Sequence, residues 1–85
     1  MSNNTTSLFS VSDIDTALVK AILKEVLEAL AERGYNPSNQ IVGYLISGDP
    51  GYISNHKEAR NKISKIDRSK ILEILIREYL QSWEY

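Results

Sequence analysis

Apolar residues recur every three or four positions through two long stretches of this chain. In the first stretch Val19, Ile22, Leu23, Val26 and Leu30 keep that spacing, and Lys20, Lys24, Glu28 and Glu32 form the opposite stripe. A period near 3.6 predicts an amphipathic helix with one buried face. Leu18, Ala21, Leu27 and Ala29 widen that face. Ser12 or Asp13 is the expected cap, because a short side-chain oxygen accepts from the orphan amides of a first turn. Gly34 is the expected stop, since glycine adopts the left-handed conformation that ends a helix. In the last stretch Ile71, Leu72, Leu75, Ile76, Tyr79, Leu80 and Trp83 give a second broad apolar face. Asp67 is its expected cap.

The segment between them is punctuated. Gly34 to Tyr52 holds all four glycines, both prolines and three of the five tyrosines. Asn36-Pro37 predicts a cap followed by proline in a first turn, where a missing N–H costs nothing. A short helix then runs to about Ser47, with Ile41, Val42, Leu45 and Ile46 as its apolar residues and Tyr44 beside them. Gly43 inside it costs about 1 kcal/mol relative to alanine, and its expected role is close approach of another helix. Gly48-Asp49-Pro50-Gly51 reads as a turn, with Asp49 satisfying its amides and Pro50 fixing the backbone. A third helix is expected from about Tyr52 or Ser54 to Lys65, with Ile53, Ala59, Ile63 and Ile66 inward. No useful length alternates with period two, so no strand is expected.

Residues 1–12 are polar and contain Leu8, Phe9 and Val11 without a period. They read as a flexible Ser/Thr-rich tail that docks through Phe9. Residues 13–85 read as one helical domain. The expected fold is all-α, a compact array of four to five helices.

Composition adds one constraint. A chain of 85 residues buries only about 60% of its unfolded surface or a little more, a marginal core. Such cores use disulfides, metals or self-association. Cysteine is absent and His56 is the single histidine, so no disulfide and no metal site is expected. Self-association remains, and the wide apolar faces of the first and last helices point to a homodimer. The net charge of −1 gives no overall bias. Residues 13–33 carry three basic and five acidic side chains, residues 34–70 six and three, and residues 71–85 one and three. The centre is therefore mildly basic. The first residues lack the basic and apolar regions of a signal peptide, and no apolar run reaches the ~18 residues of a membrane span. A soluble cytoplasmic protein is the default expectation.

No catalytic constellation accompanies this scaffold. Ser47 and Ser54 lack an elbow motif, and His56 has no nucleophile to serve, so it reads as a polar packing residue. Glycine-rich phosphate loops are absent. Tyr35, Tyr44 and Tyr52 fall at irregular spacing and read as core or interface packing. Lys57, Arg60, Lys62, Lys65, Arg68 and Lys70 do not align on one narrow face, and read as a solvated face partly used in contacts within the chain or with partners. The alternative is a DNA-binding regulator of helix-turn-helix type.

One further signal lies in the wording of the sequence. Tyr35-Asn36-Pro37, Asn39 through Leu45, Ser47-Gly48-Asp49-Pro50 and Tyr52-Ile53 stand in an order and spacing that resembles the IreB family of small bacterial regulatory phosphoproteins. His56, Ala59-Arg60, Ile63, Arg68 and Tyr79-Leu80 continue the likeness, which covers about residues 6–80. The resemblance implies a non-enzymatic, all-helical homodimer whose loose tail is phosphorylated on threonine. The implied partners are a second copy, a membrane-bound Ser/Thr kinase that senses the cell wall, its cognate phosphatase and a downstream protein. Signalling in cell-envelope stress or antibiotic tolerance is the implied setting. No cofactor, nucleic acid or membrane is implied. The family's tail carries a Thr-x-x-Phe pattern, and Thr6-Ser7-Leu8-Phe9 matches it, with Thr5 adjacent. Thr6 is therefore the expected phosphoacceptor and Thr5 the second. Gly43, Tyr44, Tyr35 and Tyr52 are the expected dimer or partner contacts. Ser54 departs from a more usual proline, and Ser69-Lys70 from a more acidic pair.

Overall fold

The computed structural model describes residues 11–83. Four α-helices and two 3-10 turns make up these residues, without a strand: α1 (Val11–Glu32), α2 (Pro37–Ser47), α3 (Ala59–Ser64) and α4 (Arg68–Gln81), with the turns at Pro50–Tyr52 and His56–Glu58. α1 is the central element and packs against each of the other three helices. Its contribution to the core is Val19, Leu23, Val26, Ala29 and Leu30, met by Ile41 and Tyr44 of α2, Ile53, Ala59 and Ile63 of the α3 region, and Ile71 and Ile74 of α4. Val26, Leu30, Ile53, Ile63, Ile71 and Ile74 are completely enclosed. Enclosing each such side chain stabilises by about 1.5–3 kcal/mol. The core therefore ties all four helices to α1.

The punctuation acts as its chemistry requires. Gly34 has φ 83°, its N–H donates to the Ala31 carbonyl and that of Tyr35 to the Leu30 carbonyl, both at 3.0 Å. This paired closure satisfies two orphan carbonyls at the end of α1. Asn36 Oδ1 accepts from the Asn39 amide at 3.0 Å, and Pro37 occupies the first turn of α2. Gly48, at φ 75°, closes α2 with an N–H bond to the Tyr44 carbonyl. Asp49 Oδ1 accepts from the Gly51 amide at 2.8 Å, so it satisfies the turn.

Several expectations change. α1 is already helical at Val11, the first described residue, which places Ser12 and Asp13 inside the helix instead of at its cap. Asp67 does stand at the N-cap of α4, but its side chain makes no capping bond. Its backbone carbonyl accepts from the Lys70 and Ile71 amides instead.

The continuous third helix is replaced by two 3-10 turns and a helix of six residues. Lys57 and Glu58 adopt left-handed φ values of 54° and 63°, which no right-handed helix accommodates. A side chain meets the carbonyl of Ile53: Arg60 Nε donates to it at 2.9 Å, and also to Pro50 O at 3.2 Å, which accepts the Ile53 amide as well. The inward residues are nevertheless those the period indicated, with Ile66 half-buried.

Candidate functional site

The bracketed middle of the chain builds a small rigid platform. Gln40 Nε2 on α2 donates to the Tyr52 carbonyl at 2.9 Å and pins the 3-10 turn against the helix. The Tyr52 ring then lies over Gly43. A Cβ at position 43 would stand 2.5 Å from Tyr52 Cδ1 and 2.8 Å from Cζ, so only glycine leaves room for the ring. The close approach expected at Gly43 is thus made by an aromatic ring, not by another helix. Ser47 Oγ donates to the Gly43 carbonyl at 2.7 Å and accepts from the Asp49 amide at 3.0 Å. Tyr44 points the other way and is buried in the core, whereas Tyr35 and Tyr52 are exposed. Val42 and Ile46, two of the four apolar residues named for this helix, are also exposed, Ile46 at 79%.

Arg68 joins this platform to α4. Its guanidinium donates to the Leu45 carbonyl at 3.0 Å and packs on Gly48, where a Cβ would come within 2.8 Å of Cζ. Position and charge of Arg68 are visible in the sequence, but the pairing spans 23 residues and leaves no local signal.

Three sets of charged groups are paired across elements. Lys20 of α1 meets Glu78 of α4 at 2.6 Å, and Lys62 of α3 meets Glu25 of α1 at 2.9 Å. At the end of α1 Glu32 accepts from His56 Nε2 at 2.8 Å and from Lys57 Nζ at 3.1 Å. The hydrogen bond from His56, and then that from Lys57, hold the Glu32 carboxyl below the usual carboxylate range. This clamp fastens the left-handed Lys57–Glu58 turn to α1. His56 is therefore a packing and pairing residue, and the hydroxyl of Ser54 is taken by the His56 backbone amide at 3.1 Å.

A broad apolar surface is exposed on α4 and just beyond its end. Ile71 and Ile74 face α1, while Leu72, Leu75, Ile76, Tyr79 and Trp83 are exposed. At about 100° per residue this stripe lies roughly a quarter-turn or more around the helix from the buried pair. Most of the apolar face read from the sequence is therefore solvent-facing in the single chain, and Ile74, which that reading left out, is a core residue. Tyr79 and Trp83 meet edge to face, with ring centroids 5.9 Å apart. Thr5 and Thr6 lie outside the described residues.

The platform and Arg68 are the spatial form of residues that carried the resemblance, and of the α4 stripe Tyr79 belongs to them. A family profile described as IreB regulatory phosphoprotein matches residues 4–81. The chain belongs to this family. A similar protein, the UPF0297 protein of Acetivibrio thermocellus, is 49% identical over 81 residues, 95% of this chain and 90% of that relative. The IreB family is described as a family of regulatory phosphoproteins and not by any catalytic activity. No helix among the described residues is long and apolar enough to cross a membrane.

Proposed function

We propose that this protein is a non-enzymatic cytoplasmic regulator that works as a homodimer through protein–protein contacts. Its tail is the substrate of a membrane-bound bacterial Ser/Thr kinase, at Thr6 and secondarily Thr5, and is reset by a cognate phosphatase. The setting is cell-envelope stress or antibiotic-tolerance signalling.

The exposed stripe of α4 carries the reading. A domain of this size with four large apolar side chains, Leu72, Leu75, Ile76 and Tyr79, exposed on one helix face has the surface of a binding module. A second copy is the occupant that this reading assigns, with α4 as the interface. The family's description supports phosphorylation as the controlling event. Thr6 precedes the first helix, so a kinase cleft takes it in extended form without opening the core. The phosphate adds about −1.5 to −2 charge. The basic side chains favour a protein partner over nucleic acid. Of the six basic side chains from Lys57 to Lys70, Arg60 and Arg68 are spent on backbone carbonyls and Lys57 and Lys62 on carboxylates, which leaves Lys65 and the loosely held Lys70.

Mass spectrometry after treatment with a bacterial Ser/Thr kinase tests the site. Phosphate at Thr6, with a lesser fraction at Thr5, is the expected result. Phosphate confined to Ser47 or Ser69 overturns the mechanism. A salt-dependent mobility shift with duplex DNA would favour the helix-turn-helix alternative.

A further inference from the structure

A groove of about 500 Å³ runs along the first half of α1. Its floor and walls are Leu18, Val19, Ile22 and Ile66, and its rim is Asp15, Asp67, Lys65 and Lys70. Leu18 is 59% exposed there, although it lies on the apolar side of α1. The rim holds two acids and two bases, so it offers no net charge to an occupant. Lys70 is only loosely held, 4.0 Å from Glu73.

We propose that Leu8 and Phe9 of the same chain fill this groove. Three observations select that occupant. First, the tail enters α1 at the right end. Position 18 is seven residues beyond Val11, about 10 Å along the axis, and Phe9 is two residues before Val11 in the chain. Second, residues 1–10 contain no charged side chain, which matches the balanced rim. Third, Leu8-Phe9 is the one adjacent apolar pair in that segment. Docking brings Thr6, three residues away, beside the rim and out of extended form. The groove therefore competes with the kinase for the tail, and Leu18 becomes a residue that sets how readily Thr6 is modified. This last step rests on Thr6 being the phosphoacceptor; the docking itself does not.

The test separates the two. Methyl resonances of Leu18, Ile22 and Ile66 are compared between the full unphosphorylated chain and Phe9→Ala. Docking predicts shifts confined to these methyls and nuclear Overhauser contacts from the Phe9 ring to them, unchanged on dilution. Unchanged methyls, contacts from Phe9 to another surface, or contacts that vanish on dilution would each overturn it. Leu18→Glu alters an exposed groove residue and leaves the tail sequence intact. It is expected to abolish the ring contacts and to raise the initial rate of Thr6 phosphorylation about fivefold, equivalent to about 1 kcal/mol of docking. An equal rate in the two chains overturns the competition. Absence of phosphate on Thr6 in both chains would instead remove the phosphoacceptor assignment, while the methyl data still decide the docking.

Discussion

Gly43→Ala is an informative perturbation because two effects of opposite sign meet at one atom. Position 43 is in the middle of α2, where alanine is better than glycine by about 1 kcal/mol. The new Cβ would stand 2.5 Å from Tyr52 Cδ1, far inside contact distance. The ring cannot withdraw freely, since Gln40 holds the Tyr52 carbonyl and Asp49 caps the turn. It must swing off α2 or push the turn away, an overpacking cost of about 1–3 kcal/mol. The net change in the wild-type background is therefore a loss of about 0–2 kcal/mol, which alone decides little. The double-mutant cycle decides it. In Tyr52→Ala the ring is gone, and Gly43→Ala is expected to stabilise by about 1 kcal/mol. Propensity cancels in the cycle, so the coupling equals the steric cost, about 1–3 kcal/mol. Urea denaturation at one fixed protein concentration measures it, because a dimer makes stability depend on concentration. In melting temperature each kcal/mol is about 4–8 °C for a domain of this size. A coupling below about 0.5 kcal/mol, with alanine stabilising both backgrounds alike, would refute the platform.

Glu58 has φ 63°, and Glu58→Gly should raise stability by about 0.5–1 kcal/mol. The relief of about 1–2 kcal/mol is partly offset by the freedom glycine gains in the unfolded chain; a loss in urea denaturation would contradict the strain. The Glu32 carboxyl is depressed by its bonds from His56 and Lys57, so its contribution is present above the ordinary glutamate pKa, near 4.3, and is lost as pH falls through the lower folded value. Stability measured from pH 6 to pH 3 should therefore fall more steeply in the wild type than in Glu32→Gln, and parallel curves would show that the clamp contributes nothing. Ile76 is 57% exposed on the α4 stripe; Ile76→Lys should give a folded monomer by sedimentation equilibrium where the wild type gives twice the monomer mass, and a wild type that is itself monomeric would remove the dimer.

Local chemistry was legible, and pairing over distance was not. Gly34, Asn36-Pro37 and Asp49 act as those residue types do in any chain, because these caps and turns close within four residues, whereas Asp67 stands at its N-cap without the side-chain bond. The buried face of α1 was equally readable, since Val19, Leu23, Val26 and Leu30 follow one period against a charged stripe. The third helix failed because its break falls on Lys57 and Glu58, and neither residue type signals a left-handed backbone. Tertiary bonds hold that break: Glu32 from α1 and Arg60 across the turn. α4 failed differently. Its apolar residues cover more than half its circumference, and period alone cannot say which part meets α1. Ile74 falls in the covered part and Ile76 in the open part, though both are isoleucine. Of the proposed site, the Thr-x-x-Phe pattern and Gly43 were visible. The groove that receives Leu8-Phe9 was not, because it forms only when Ile66 is brought to Leu18 and Ile22.

The charge pattern then limits how such a regulator acts. The mildly basic centre is not an open cationic field: Arg60 and Arg68 hold carbonyls, and Lys57 and Lys62 hold carboxylates of α1. Binding to a polyanion needs several free cations on one face, and of the six basic side chains of this segment only Lys65 and Lys70, the latter 4.0 Å from Glu73, are left. The apolar surface left open is on α4 and at Val42 and Ile46 of α2. Partner affinity should therefore come from apolar burial and depend weakly on salt. A phosphate on the tail acts on such a surface only at short range, because charge is screened within about 8 Å at physiological ionic strength. Its effect must be exerted where the tail itself lies. In the proposed docking of Leu8-Phe9 along α1, that charge would stand beside Asp15, Lys65, Asp67 and Lys70, at the junction of α1 with the start of α4. That junction is where a change in the tail reaches the helix that carries the open apolar stripe.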